Sequence, residues 1–323
     1  MRSPKRTLIA AVVGAVLVSV SVTCAAQPLR IGTTPQGTLV YAVGTTIAKA
    51  LFDSAKIDAR VQPTSGTSVL VPMVNSGELD MGFCGTLELY DSFHGVGTSD
   101  KRPNASLRAI AILFPNRFGL FVRNDSPIRA AKDLSGKRVP FGFTNQASSQ
   151  TVVEALLANA GLTVKDVQPV TVSSLTDGVD AFVAGRVDVA FFAIGQAKVA
   201  AADAAVGGIR FLAVDPAPAA VAALQRVLRT AYVGRVDPAP NLPGVREPLM
   251  LAQYDVSAFV NANLPAERVR AIVRVLAEER DALALAMPAF RQMRPERMYA
   301  RIEVPYHDGA IAYFRDRGIS QAR

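Results

Sequence analysis

The sequence predicts an α/β protein of two similar doubly wound lobes joined by a two-strand hinge, and three observations predict it. First, "VNSGELDMGFCG" and "FVAGRVDVAFFA" each carry a helix end into Gly-x-x-Asp and then an apolar strand, with Gly77 and Gly185 at an offset of 185 − 77 = 108 residues. Self-similarity at a fixed spacing marks a repeated structural unit. Second, short β-rich apolar runs alternate with segments of helical period, the pattern of βαβ units on a mainly parallel sheet. Third, two extended runs, Phe118 to Pro127 and Tyr254 to Pro265, flank the second copy and end in polar turn residues and Pro, as lobe crossings do.

The elements follow in order. Arg2, Lys5 and Arg6 precede the apolar or small run Leu8 to Val22 and then Thr23-Cys24-Ala25-Ala26. A basic start, an apolar stretch of this length and small residues before Gln27 predict a cleavable signal peptide over 1–26. The run is short for the ~20 residues of a membrane span, so a soluble mature chain in the periplasm is expected. The first lobe then reads "LRIGTT" (strand), "GTLVYAVGTTIAKALF" (helix, with Leu39, Val43, Ile47 and Leu51 on one face), "DARVQPTSG" (strand), "TSVLVPMVNSG" (helix), "LDMGFCG" (strand), "TLELYDSF" (helix) and "LRAIAILF" (strand). The second reads "RVPFGF", a helix from about Ser148 to Asn159 stopped by Gly161, "VQPVTVS", a helix to Gly185, "VDVAFFA", a helix through Ala205 and "IRFLAV". After Pro265, "AERVRAIVRVLAEERDALALA" and a C-terminal helical segment are expected to pack back on the first lobe. The lobes are accordingly drawn as 27–122 plus 260–323, and 123–259.

Loss of residues 1–26 removes three bases and no acids, leaving a charge of (35 − 3) − 27 = +5. The bases are spread along the chain without a Lys/Arg-rich run, so nucleic acid is not an expected partner. Cys84 becomes the one remaining thiol, which rules out an internal disulfide and reads as a buried residue at a strand end. The two histidines are His94, expected to cap the end of a short helix, and His307. Asp80 and Asp188 start strands after Gly caps and read as structural. With no nucleophile elbow, P-loop, full GxGxxG or metal-spaced set, the sequence offers no catalytic residue, metal site or cofactor.

Ligands of open α/β sheets bind at the carboxyl ends of strands, where loops lead into helix starts. Five such loops carry hydroxyls, amides or Gly, and they supply the candidate ligand-binding residues. These are Gly37, Thr38 and Tyr41; Ser65, Gly66, Thr67 and Ser68; Gly85 and Thr86; Ser148, Ser149 and Gln150; and Gly195 and Gln196. Free N–H groups at helix starts suit an anion, so a small carboxylate-bearing solute is expected, with Arg117 from the lobe crossing as counter-charge.

Taken together, "IGTTPQGTLVYAVGTTIAKAL", "TSGTSVLVPMVNSGELDMGFC", "FGLFVRNDSPIRAAKDLSGKRVPFG", "LTDGVDAFVAGRVDVAFFAIG" and "VPYHDGAIAYFRDRG" resemble the TAXI-type solute-binding subunits of TRAP transporters, which are periplasmic binding proteins. The resemblance spans nearly the whole mature chain. It implies a bilobal receptor, working as a monomer, that closes on a small solute and delivers it to TRAP-type membrane permease subunits. The chain departs from that pattern at "NQASSQ", where a Gly-rich loop with Ser, Thr and an acid is usual, and at "FAIGQAKVA", which lacks the usual Pro and Asn. The fold alone also admits a receptor for another carrier class, ABC or tripartite, or a periplasmic enzyme on the same scaffold.

Overall fold

The computed structural model describes residues 27–97 and 102–322, so the signal-peptide reading of 1–26 lies outside the described residues. The first lobe is built from β1 (Leu29–Thr33), α1 (Leu39–Ala55), β2 (Ala59–Pro63), α2 (Thr67–Ser76), β3 (Met81–Gly85) and α3 (Thr86–His94). α1 buries Leu39, Val43, Ile47 and Leu51, the face that the four-residue spacing requires. β4 (Leu107–Arg123) then crosses to the second lobe, formed by β5 (Arg138–Gly142), α4 (Ser148–Asn159), β6 (Gln168–Val172), α5 (Leu175–Val183), β7 (Ala190–Ala193), α6 (Ala197–Ala205) and β8 (Ile209–Phe211). Two elements that the sequence reading passed over follow, α7 (Pro218–Val227) and β9 (Tyr232–Val236), before β10 (Leu249–Asn261) returns to the first lobe. There α8 (Ala266–Glu278), α9 (Arg280–Ala286) and α10 (Asp308–Asp316) complete the chain, with Val269, Ile272, Leu276 and Phe314 buried in the first lobe's core as expected.

One sheet runs β2-β1-β3-β10-β4-β7, with β8 also on β4 and β9 on β10, while β5 and β6 pair apart from it in parallel. β4 and β10 are antiparallel, from Asn261↔Leu107 to Ala252↔Phe118, so the hinge is a two-stranded ribbon continuous through both lobes. The sequence reading broke β4 into two pieces at Pro115, a residue that cannot donate to a ladder. It is tolerated because a register shift between Asp255 and Ser257 opens the pairing beside it. The hydrophobic cores change over between Phe114 and Phe118 on β4 and between Ala252 and Val256 on β10. The lobe boundaries drawn at 122/123 and 259/260 therefore lie several residues too far along each strand. The strand itself continues through the crossing while its packing partner changes.

The repeat is physical. Asp80 accepts from Arg30 N at 2.8 Å, Nε at 3.1 Å and Nη2 at 2.6 Å, and 108 residues on Asp188 accepts from Arg138 N at 2.8 Å, Nε at 3.2 Å and Nη2 at 2.6 Å. Each pair fastens the first strand of a lobe to the turn before its third, with Gly77 and Gly185 in the left-handed region (φ 81° and 72°). These charge-assisted, bidentate bonds are the strong kind, and Arg138 holds the Asp188 carboxyl below its ordinary range. Asp188→Ala is expected to cost about 1–3 kcal/mol in urea unfolding near neutral pH. A depressed carboxylate stabilises the fold above its unfolded value and loses that contribution as pH falls through the folded one. The variant and the wild type should therefore converge in acid.

Cys84 is buried, unpaired and pushed well up by burial, as its strand-end position implied. His307 caps α10: Nδ1 accepts from Gly309 N at 3.1 Å and Nε2 donates to Ala262 O at 3.2 Å. His94 does not cap α3, contrary to expectation. Gly95 does so at φ 67°, and the His94 ring instead donates to Glu303 O at 3.0 Å, tying α3 to the C-terminal segment.

Candidate functional site

The lobes touch across the cleft. Ser68 N donates to Asn145 O at 3.2 Å, Ala147 N to Ser68 Oγ at 3.2 Å, and Lys198 N to Gly37 O at 3.3 Å. At the rim, Arg229 of the second lobe pairs with Asp91 at 3.6 Å and lies 4.3 Å from the Tyr90 ring centroid. At Gly66 the lobes approach too closely for a side chain, since a Cβ there would sit 1.9 Å from Asn145 O. This is a closed conformation.

Closure leaves an inner cavity of about 70 Å³, walled by both lobes. The first lobe supplies Thr34, Thr38, Thr67, Cys84, Gly85 and Glu88, and the second supplies Gln146, Ser148, Ser149, Leu175, Phe191 and Phe192. The hinge strands add Asn116, Phe118, Tyr254 and Val256. A water needs about 10–15 Å³ on this measure, so the space holds about five waters or one small solute. An outer pocket of about 210 Å³, with Ser68, Asp91 and Arg102 in its wall, shares Thr67, Glu88 and Ser148 with it.

Glu88 therefore stands between the two spaces, in the first turn of α3. Burial pushes its carboxyl above the ordinary range and Asp91 adds to this, while the Thr67 and Ser148 hydroxyls beside it pull the other way. Thr67 Oγ1 is buried and has no hydrogen-bond partner of good geometry. The Tyr254 ring packs 4.8 Å from Phe118 and so tightly on Gly85 that a Cβ there would lie 2.8 Å from Cε2. Burial, then the Glu88 charge, raises the Tyr254 hydroxyl far above its usual range, so it stays a neutral donor.

Of the residues read from sequence, Thr38, Thr67, Gly85, Ser148 and Ser149 line the inner cavity. Ser68 faces the outer pocket, while Gly37 and Gly66 make lobe contacts. Tyr41, Ser65, Thr86 and Gln150 are not in the cavity wall, and Gln150 bonds Glu154 at 3.2 Å. Gly195, Gln196 and Arg117 line a different pocket, of about 200 Å³, with Asn241 and Gln292.

Two expectations are corrected. Arg117 lies between Asn116 and Phe118 on β4, so strand alternation turns it away from the cavity, and its Nη2 donates to Gln292 Oε1 at 2.5 Å. Several helix-start N–H groups are also taken. Tyr41 N bonds Thr38 Oγ1, Ser68 N bonds Asn145 O, Ser149 N bonds Gln146 O at 2.8 Å and Gln150 N bonds Ala147 O at 3.1 Å. No Lys, Arg or His is among the described residues that line the inner cavity. Arg117 thus supplies no counter-charge to a carboxylate in this cavity.

Sequence reasoning missed Glu88, Asn116, Phe118, Gln146 and Tyr254. Glu88 had a usable signal, being the third residue of the helix that opens after Cys84-Gly85, but the reading stopped at Thr86. Gln146 lay within a loop already singled out. The hinge residues had none, because a strand pattern does not say which face meets a cleft.

The NMT1-like family profile matches residues 31–318. Among solved structures, one described as a periplasmic transporter is 12% identical, with 81% of this chain and 84% of that one covered at a TM-score of 0.53. PhnD1 from Prochlorococcus marinus (MIT 9301), in complex with methylphosphonate, is 12% identical, with 90% and 98% covered at a TM-score of 0.52. The substrate binding protein of an amino acid ABC transporter is 13% identical, with 82% and 100% covered at a TM-score of 0.49.

Proposed function

The chain belongs to the NMT1-like family, and from that premise we propose that it is a periplasmic receptor that captures a small solute between its lobes and hands it to a membrane permease. The observation that carries this reading is the inner cavity itself, walled by helix starts of both lobes and backed by the two hinge strands. Two lobes on a β-ribbon can open and shut as near-rigid bodies, the motion that a solute enclosed on all sides requires. Burial pushes the Cys84 thiol and the Tyr254 hydroxyl in the cavity wall toward the protonated form, the reverse of an activated nucleophile. Among the described residues no helix is long and apolar enough to cross a membrane.

For the carrier, we put the ABC-type alternative ahead of the TRAP-type pairing that the TAXI resemblance implied, because neither the family description nor the names of the similar structures support a TRAP permease. Reconstituting each class of permease encoded beside this chain, and asking which one the loaded receptor stimulates, decides between them. The receptor reading is tested by mass spectrometry of solutes released from gently purified protein. A stoichiometric small molecule supports it, and turnover of that molecule overturns it.

The rim contact gives a kinetic prediction. An exposed ion pair and one cation–π contact together contribute about 1 kcal/mol to closure. Arg229→Ala should therefore speed solute release about fivefold in stopped-flow measurements, with the association rate little changed.

A further inference from the structure

We propose that the solute carries a compact protonated amine, and that Glu88 is the counter-charge that receives it. The inference rests on the receptor reading and names the chemistry of that same cavity. Glu88 presents an acceptor-only carboxylate to an enclosed space, and no basic side chain lines that space among the described residues. Thr67, 5% exposed, faces the same space with an Oγ1 that lacks a partner of good geometry and can accept from a donor placed there. Opposite lie Ser148 and Ser149 at the start of α4, whose hydroxyls can accept as well. An ammonium group brings three donors and no acceptor, which suits a wall of acceptors.

The remaining wall points the same way. Phe118, Phe191, Phe192 and Tyr254 give the cavity aromatic faces, and a cation over such a face is attracted by the ring quadrupole. An anion would meet a carboxylate and those negative faces without a basic side chain in the wall to offset them. A buried carboxylate without an opposite charge is unfavourable even with the Thr67 and Ser148 hydroxyls beside it, and an ammonium relieves that penalty by bringing its own charge. The observed closed form, in which Glu88 shares contacts with Thr67 of its own lobe and Ser148 of the other, places the counter-charge where closing lobes desolvate the pair.

The test uses the full mature chain and its Glu88→Gln variant, which keeps the shape and removes the charge. Thermal melts are recorded with ethylammonium, ethanolamine and acetamidinium as cations, with succinate, methylphosphonate and ethanesulfonate as anions, and with acetamide and glycerol as neutral compounds, since saturating ligand raises the melting temperature. The expected result is stabilisation of the wild type by cations alone, with affinity about 100-fold weaker in the variant. Stabilisation by anions or neutral compounds without cations overturns the amine assignment and leaves the receptor reading standing. A wild type that no compound stabilises also overturns it, and mass spectrometry of released solutes then shows whether the receptor reading falls with it. A Glu88→Gln variant that binds cations as tightly as the wild type removes Glu88 from the role even if the solute is an amine.

Discussion

Gly66→Ala is expected to abolish tight binding while leaving both lobes folded. The added Cβ would lie 1.9 Å from Asn145 O and 2.7 Å from Gln146 Cγ, both on the opposite lobe, whereas nothing within its own lobe is among the nearest atoms. The Gln146 side chain could turn aside, but the Asn145 backbone cannot, so the lobes must stay apart. The Ser68 N to Asn145 O bond, the Ala147 N to Ser68 Oγ bond and the enclosure of Glu88 are then lost together. Calorimetry with the solute recovered from the wild type should show affinity at least about 100-fold weaker, the scale of about 3 kcal/mol. The melting temperature of the ligand-free protein should change little, because Gly66 is in extended backbone (φ 167°) that Ala also adopts and precedes α2 without a side-chain cap to lose. Unchanged affinity would show that closure through this contact is not part of binding.

Glu88→Gln should stabilise the ligand-free protein at neutral pH. A carboxyl whose folded pKa is raised is protonated more readily in the fold than in the unfolded chain, so the fold carries a penalty once pH exceeds the folded value. That penalty is absent below the unfolded value, near pH 4, and grows as pH rises through the window between the two. The groups that face Glu88 do not reverse this. Asp91 on α3 raises it further, Cys84 and Tyr254 are neutral, and Arg102 lines only the outer pocket. Melts near pH 7.5 should place the variant roughly 2–4 °C above the wild type, the shift for about 1 kcal/mol in a chain of this size, and melts near pH 4 should bring the two together. A variant less stable than the wild type at neutral pH would mean that Glu88 is already satisfied without solute.

These predictions also mark what the sequence could and could not reveal. The α1 face, the bounds of α4, the paired Gly caps and the repeated Asp positions were legible because each depends on local geometry: a period of 3.6, a left-handed cap, a strand start. The partners of Asp80 and Asp188 were not named in advance, although Arg30 and Arg138 occupy equivalent places in the repeat, because a pairing across fifty residues leaves no local trace. α7 and β9 were passed over although Val221, Leu224 and Val227 carry a helical period after Pro218, because the flanking Pro-rich stretches read as loop. At the site, the loops that carry Thr38, Thr67, Ser148 and Ser149 were found from the rule that strand ends feed helix starts. The Arg117 counter-charge was misplaced because composition shows only that a base lies near the crossing, whereas the folded chain shows that it turns to Gln292.

The central claim is that two lobes shut over a solute at Glu88, and small-angle scattering tests it most directly. The radius of gyration of the wild type should fall when its recovered solute is added to saturation, and that of Gly66→Ala should not. A wild-type radius that stays constant at saturating solute would contradict the account.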